Sequence, residues 1–288
     1  MALIPEISVV IPARDAAATI GYQLDALAGQ SFDGAWEVIV VDDGSSDGTA
    51  EAAGQWADRL PSLRVVSSTE SRGRSGALNL GTRAALGRRI AYCDADDVVS
   101  PSWLSSIVGA LRDHEVATGP IDLALLNAPE IYRWRGRTGW QRLPDWLGFL
   151  PTALSCNLGM RRDLFDRLGG FDPKLAFGQD FDFVWRAQLD GATLGFAPAA
   201  VVHWRSRIEP FGYFKAHVRY GMADVQHFSS FAARGMPRRL GAGLVRIAAV
   251  FPATPLLLLP NQRYRFLAGA GIAVGHLLGS IRERVLYL

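Results

Sequence analysis

Cysteine is scarce in this chain: Cys93 and Cys156 are the only two among 288 residues. Two cysteines exclude a disulfide framework and a cysteine-rich metal site. Cys93 lies in an apolar run and is expected to be a small core residue. Charge of one sign is also missing. The 30 Lys and Arg nearly balance the 28 Asp and Glu, for a formal net of +2, so the total balance points to no nucleic-acid partner. No apolar run reaches the ~20 residues that span a bilayer. The N-terminus lacks a signal-peptide pattern, because Pro5 and Glu6 interrupt its apolar residues and a strand pattern follows at once. The expected location is therefore cytoplasmic. Internal repeats and low-complexity linkers are absent.

What is present is a chain long enough, at 49% hydrophobic residues, to bury a large core. Residues 7–12 are a short β-branched run, as expected of a strand buried on both faces of a parallel sheet. Helical spacing of Ile20, Leu24 and Leu27 predicts a helix over 16–28. A second buried strand is read at 36–41. It ends in Asp42-Asp43-Gly44-Ser45-Ser46-Asp47, which offers N-caps for a helix running through Trp56. A third strand over 63–67 leads through a glycine-rich loop with two arginines into a helix over 75–86. A fourth strand begins at Ile90, and another helix is expected near Pro101. Strands alternating with helices predict an α/β fold with a doubly wound, mainly parallel sheet and a ligand crevice at the strands' C-terminal ends.

The second half is less regular. Residues 133–146 read as a loop over the site or an acceptor surface. Helices are expected over 158–168 and 181–189, and a returning strand within 196–204. From Leu240 the composition changes: 247–260 and 266–280 carry no Arg, Lys, Asp or Glu, and 261–265 separates them.

The most informative stretch is Ile90-Ala91-Tyr92-Cys93-Asp94-Ala95-Asp96-Asp97, an apolar strand with an acidic tip. Strand alternation puts Asp94 and Asp96 on one face and turns Ala95 away. Clustered carboxylates repel one another and are costly to desolvate unless a cation or donor compensates. Mg2+ and Mn2+ favour such hard oxygen ligands. The competing assignment is an acidic turn that caps the next helix. Asp15, Asp43 and Asp96 each follow a predicted strand, so all three are expected to face one crevice.

Seven segments in this order resemble one known family: Ser8-Val9-Val10-Ile11-Pro12, Val40-Val41-Asp42-Asp43-Gly44-Ser45, Gly76-Ala77-Leu78-Asn79, Asp94-Ala95-Asp96-Asp97, Gly169-Gly170-Phe171-Asp172, Gln179-Asp180 and His203. The chain resembles the inverting glycosyltransferases of family 2, which have the GT-A fold, over roughly residues 7–205. The resemblance implies a sugar transferred from a nucleotide-diphosphate donor, most simply a UDP-sugar, to a hydroxyl acceptor, with Mn2+ or Mg2+ as cofactor.

It also implies roles for single residues. Asp43 matches the position whose carboxylate accepts the N3 hydrogen of uracil, although Asp42 and Asp43 would also serve the Gly44 turn. Asp15 stands at a nearby nucleoside contact, and Arg14-Asp15 replaces the aromatic–Asn pair of many relatives. Arg72 and Arg74 lie where a basic diphosphate or base contact is placed, and the sequence does not choose between them. Asp96 matches the metal ligand and Asp94 the partner that approaches the ribose. His203 resembles the C-terminal histidine that binds metal or diphosphate. Asp180 matches the catalytic base, preceded here by Gln179 rather than Glu, with Asp182 as the competing base. Trp185 is expected either to line the acceptor site or to belong to the core. Pro12, Asn79 and Ala95 complete the substrate-binding set through their motifs.

Three rival readings fit less well. A dehydrogenase, or a sugar-1-phosphate nucleotidyltransferase, needs a glycine-rich signature after the first strand, where this chain has Pro12-Ala13-Arg14-Asp15. A degenerate carbohydrate-binding relative would have lost Asp43, Asp96, Asp180 or His203. The expected organisation is a catalytic domain over 1–205, its nucleotide-sugar half about 1–100 and its acceptor half about 101–205. A helical extension follows over 206–288. Pro252, Pro255 and Pro260 break the first apolar stretch. The extension is therefore expected to pack on the domain, form a homodimer, or lie peripherally on the membrane face.

Overall fold

The computed structural model describes residues 4–68, 73–133, 138–206, 209–238 and 253–287. The chain forms two compact units. One comprises Met1–Leu126, Thr138–Pro144 and Pro151–Arg205; the other comprises Asn127–Arg137, Asp145–Leu150 and Ser206–Leu288.

The first unit is built on a seven-stranded sheet. Its early part follows the predicted alternation: β1 (Ile7–Ala13), α1 (Ile20–Ala28), β2 (Trp36–Asp42), α2 (Thr49–Gly54), β3 (Leu63–Ser67), α3 (Gly73–Ala84) and β4 (Arg89–Tyr92). β1 pairs in parallel with both β2 and β4, and β2 pairs in parallel with β3. Strands with both faces covered need apolar residues at every position, and Val38 to Val41 are all fully buried. The polar exceptions satisfy one another: Glu37 accepts hydrogen bonds from the Ser8 hydroxyl, the Leu86 N–H and Arg64. Burial alone would raise its pKa, and these donors hold it below the usual carboxylate range. α1 begins at Ile20 rather than Ala16, because Thr19 and Ile20 first close a turn onto the Ala16 carbonyl.

The later part departs from expectation. After β5 (Val98–Val99), α4 (Trp103–Asp113), β6 (Val116–Thr118) and β7 (Ile121–Asp122), the stretch read as one helix over 158–168 divides. It forms β9 (Leu158–Arg161) and α6 (Arg162–Leu168). β9 lies between β4 and β6 and is antiparallel to both. A short buried run has the same apolar signature in strand or helix, so only its partners decide. α7 (Gln179–Leu189) follows. The returning strand is two short ones, β10 (Leu194–Phe196) and β11 (Val202–His203), in different sheets. The large sheet has the order β10-β6-β9-β4-β1-β2-β3. A second sheet has the order β5-β11-β7-β8, where β8 (Thr138–Trp140) falls inside the stretch expected to be loop. The core under the large sheet joins Val10, Ile39, Tyr92, Met160, Phe171 and Phe183.

The second unit contains α5 (Pro129–Tyr132), α8 (Pro210–Phe231) and α9 (Pro260–Glu283). α9 runs straight through 261–265, which the sequence presented as a separator. A Cβ on Gly275 would lie 2.2 Å from the Val218 carbonyl oxygen, so the helices meet at backbone distance. The neighbours of Gly271, Gly275 and Gly279 climb along α8 from Phe214 to Val225, so the two helices run in the same direction. Tyr213, Tyr264, Ile131 and Ala268 form the core at one end. Among the described residues no helix is long and apolar enough to cross a membrane.

Candidate active site

Parallel pairing of β2, β1 and β4 places their C-terminal ends side by side, where an open α/β sheet presents ligands with a crevice. The first two loops are laced together. The Asp15 N–H donates to Ser45 Oγ at 2.9 Å, and Asp15 Oδ1 accepts from the Ser46 N–H at 2.9 Å. Asp47 takes the Ala17 N–H at 2.9 Å, and Thr49 Oγ1 takes the Ala16 N–H at 2.8 Å. Asp15 adopts a positive φ of 49° in this lacing, a backbone conformation that Asp tolerates better than most residues. Arg14 lies beside it, exposed, with Nε 4.0 Å from Asp15 Oδ2. Pro12 occupies β1 opposite Val41. The turn bond, from the Ser45 N–H, goes to Asp42 Oδ1 at 3.2 Å. Asp43 is buried, with its N–H on the Ala13 carbonyl at 2.9 Å.

At the end of β4 the acidic tip turns sharply. Asp94 is half-buried, Ala95 and Asp97 are buried, and Asp96 is exposed. Asp97 Oδ1 accepts the Arg205 N–H at 2.8 Å, while its Oδ2 is buried without a hydrogen-bond partner. Burial and repulsion from Asp94 and Asp96 push the Asp97 carboxyl well up. Among the described residues, ligand atoms of Asp94, Asp97 and Cys156 lie within 4.8 Å of one another. No sequence motif places Cys156 here. Burial raises its thiol well above the ordinary range, so it sits there as a neutral S–H.

β11 comes to the same tip through β5. Val98 pairs with His203, and Arg205 Nε donates to the Asp96 carbonyl at 2.8 Å. His203 Nδ1 is 2.7 Å from Asp122 Oδ2, its partner in the parallel pairing of β11 with β7. This bond and the Ala124 and Leu125 N–H groups keep Asp122 below the usual range, against the opposing effect of burial. A carboxylate on one nitrogen is the arrangement that orients an imidazole to offer the other to a metal. Asp122 carries no sequence signal, because its place follows from strand pairing.

Asp180, in the first turn of α7, is buried. Its Oδ2 accepts both the Ser155 N–H at 2.9 Å and the Ser155 hydroxyl at 3.1 Å, and its Oδ1 accepts the Phe181 N–H at 3.0 Å. Burial raises its pKa above the ordinary value, against these donors and Arg74. Ser155 Oγ accepts from Arg74 Nε at 3.2 Å and Nη2 at 3.1 Å, and Gln179 Nε2 lies 3.4 Å from it. Arg74 Nη2 also donates to Asp94 Oδ1. One hydrogen-bonded chain thus joins Asp94, Arg74, Ser155 and Asp180. Ser155 is its hub, and the irregular stretch around it gave no motif by which to find it. Arg72 lies outside the described residues.

Two expected substrate contacts are core instead. The Asn79 amide is 5% exposed and clasps Phe171, with Nδ2 on its carbonyl at 2.8 Å and Oδ1 on its N–H at 2.9 Å. Gly170, at φ 79°, leaves room for this clasp, since a Cβ there would lie 2.7 Å from Asn79 Oδ1. Two family segments, 76–79 and 169–172, are therefore one packing device, which steadies the approach to α7. Trp185 has no exposed surface and packs at a tilt against Phe181, with ring centroids 5.5 Å apart. Asp182 is bound to Arg186 at 2.8 Å, one turn along, and Arg186 also holds the Leu168 and Gly170 carbonyls.

The sequence profile of glycosyl transferase family 2 matches residues 8–169. The glycosyltransferase AglE of Haloferax volcanii is 28% identical over 228 residues, covering 77% of this chain and 74% of its own. Two bacterial relatives are longer in proportion: this chain's matches span 38% and 54% of their lengths. The fold matches the mannosyltransferase PcManGT from Pyrobaculum calidifontis, solved with GDP-Man and Mn2+. The TM-score is 0.71, with 23% identity over 96% of this chain and 88% of the other. TarS of S. aureus, solved with UDP-GlcNAc, aligns with a TM-score of 0.56 and 18% identity over 97% and 92% of the two chains. The chain belongs to glycosyl transferase family 2.

Proposed function

We propose that this protein transfers one sugar, with inversion, from a nucleotide-diphosphate donor to a hydroxyl of a glycan, a glycolipid precursor or a secondary metabolite. The observation that carries the reading is the buried, Ser155-held carboxylate of Asp180, linked through Arg74 to the acidic tip. Asp180 takes the proton of the acceptor hydroxyl as that oxygen attacks the anomeric carbon. The bond to the diphosphate breaks, and its electron pair leaves with the diphosphate. Asp182 is committed to Arg186, which favours Asp180 as the base. Asp43 and Asp15, at the ends of β2 and β1, hold the nucleoside. Arg74, in the first turn of α3, balances the charge of Asp94.

The residues at the tip suit Mn2+ or Mg2+. Asp97 offers a buried oxygen without a partner, and the carboxylates are the hard donors these ions prefer. Asp96 and His203 would hold the ion, Asp122 orienting the imidazole. A divalent ion bound there supplies positive charge to the departing diphosphate.

A thermal-shift panel of UDP, GDP, dTDP and CMP, each with and without Mn2+, tests the donor site. One nucleotide should stabilise the protein only with metal present. No shift with any of the four would overturn the reading in favour of a degenerate relative.

A further inference from the structure

We propose that the C-terminal unit docks on an anionic lipid surface through an outward apolar face of α9. Val274, Leu277, Leu278 and Ile281 recur at i, i+3, i+4 and i+7 and so share one helix face. All four are exposed, Ile281 at 69%. The neighbouring face of the same helix carries Gly271, Gly275 and Gly279 and meets α8. α9 is thus apolar toward its partner and apolar toward solvent, the reverse of an ordinary surface helix. Leu257, Leu258 and Leu259, just before α9, are also exposed, Leu258 at 85%.

Charge identifies what covers this face. Residues 206–288 carry 11 Lys and Arg against 3 Asp and Glu, whereas residues 1–205 carry 19 against 25. The near-neutral total conceals a strongly basic C-terminal segment. Arg263, eleven residues before Val274, stands near the start of α9 on the side of this face, and exposed Arg282 and Arg284 stand at its end. That pattern lets leucines enter the acyl boundary while guanidinium groups stay with headgroup phosphates. A second copy of this chain fits less well, because a two-fold contact would set like-charged surfaces together. The uncharged part of α9, residues 266–281, is about 24 Å long as a helix, short of the ~30 Å hydrocarbon core. The helix therefore lies along the surface rather than across it. The inference rests on the second unit alone and is independent of the donor chemistry.

The test is co-sedimentation of the full chain with vesicles of phosphatidylcholine alone and of phosphatidylcholine with about 30% phosphatidylglycerol. The wild type should bind the anionic vesicles at least about tenfold more tightly, and high salt should weaken that binding. Leu277→Glu with Leu278→Glu should abolish it. Arg282→Ala with Arg284→Ala should weaken it about tenfold or more. These positions are exposed, and circular dichroism of each variant verifies folding. Because the arginine pair alters no packed apolar group, it decides the question even if the leucine pair misfolds. Failure of the wild type to sediment with anionic vesicles would overturn the proposal, as would full binding by either folded variant. A dimer that the leucine variant dissociates, without vesicle binding, would overturn it too and make the face an interface between copies.

Discussion

Ser155 places its backbone N–H and its hydroxyl on the same carboxylate oxygen of Asp180, at 2.9 and 3.1 Å. Its hydroxyl oxygen meanwhile accepts from Arg74, which reaches Asp94. One serine thereby fixes the direction in which the proposed base points and couples it to the tip of β4.

That relationship gives a pH prediction. Only ionised Asp180 accepts a proton, and burial raises its pKa. Activity should therefore fall as pH drops through a value above the ordinary carboxylate range. Ser155→Ala removes a donor to the ionised form, so the acidic limb of kcat/KM should move to higher pH, with kcat down about tenfold. Asp180→Asn should lower turnover about 10²–10⁴-fold while leaving nucleotide binding intact. Rate profiles and nucleotide titrations of the two variants measure this. Wild-type activity in Asp180→Asn would refute the base assignment.

The proposed metal site makes Asp122 matter although it would touch no ion. Asp96→Ala should abolish metal-dependent stabilisation by nucleoside diphosphate, and a chelator should do the same to the wild type. Asp122→Asn should weaken Mn2+ binding about 10–100-fold by releasing the His203 ring. Mn2+ titration monitored by calorimetry reads this directly; unchanged affinity in both Asp122→Asn and His203→Ala would remove the histidine from the site.

Asn79 should behave as a stability residue. Asn79→Ala leaves the buried N–H and carbonyl of Phe171 without their partner, at a cost of about 3 kcal/mol. Gly170→Ala should cost about 1 kcal/mol or more, since it imposes positive φ on a residue with a Cβ and crowds the same amide. Urea denaturation gives both values. A large loss of donor affinity in folded Asn79→Ala, with stability unchanged, would instead support a direct substrate contact.

His227 supplies a second pH effect, in the other unit. Burial lowers its pKa to about 4 from the ordinary 6.5. Below pH 6.5 the unfolded chain takes up a proton that the native chain refuses until about pH 4. Stability is therefore lost as pH falls through this window, by up to about 3 kcal/mol. His227→Gln should flatten that slope in denaturation curves at pH 7 and pH 5.

The strands and helices of the first hundred residues were legible because doubly covered strands leave unbroken apolar runs and their helices leave a 3.6 period. The run at 158–161 was not, since a few buried residues look alike in strand and helix until β4 and β6 claim them. Nor were the two short strands within 194–203, which are too brief to show a period. In the site, the acidic tip and Asp180 could be read from their motifs. Asn79 was legible as part of a motif but not as a clasp, because its partner lies 92 residues away.

The sequence by itself determined the family, the alternation of strands and helices, and the carboxylates that crowd the ends of the strands. Local periodicity and short motifs record those facts within a few neighbouring residues. The tertiary structure alone decided that Ser155 holds Asp180, that Asp122 orients His203, and that Cys156 lies beside Asp94 and Asp97. It also decided that Trp185 is core. Each of these depends on strand order or on packing between distant segments. Side-chain distance and burial are set there, and no local pattern encodes them.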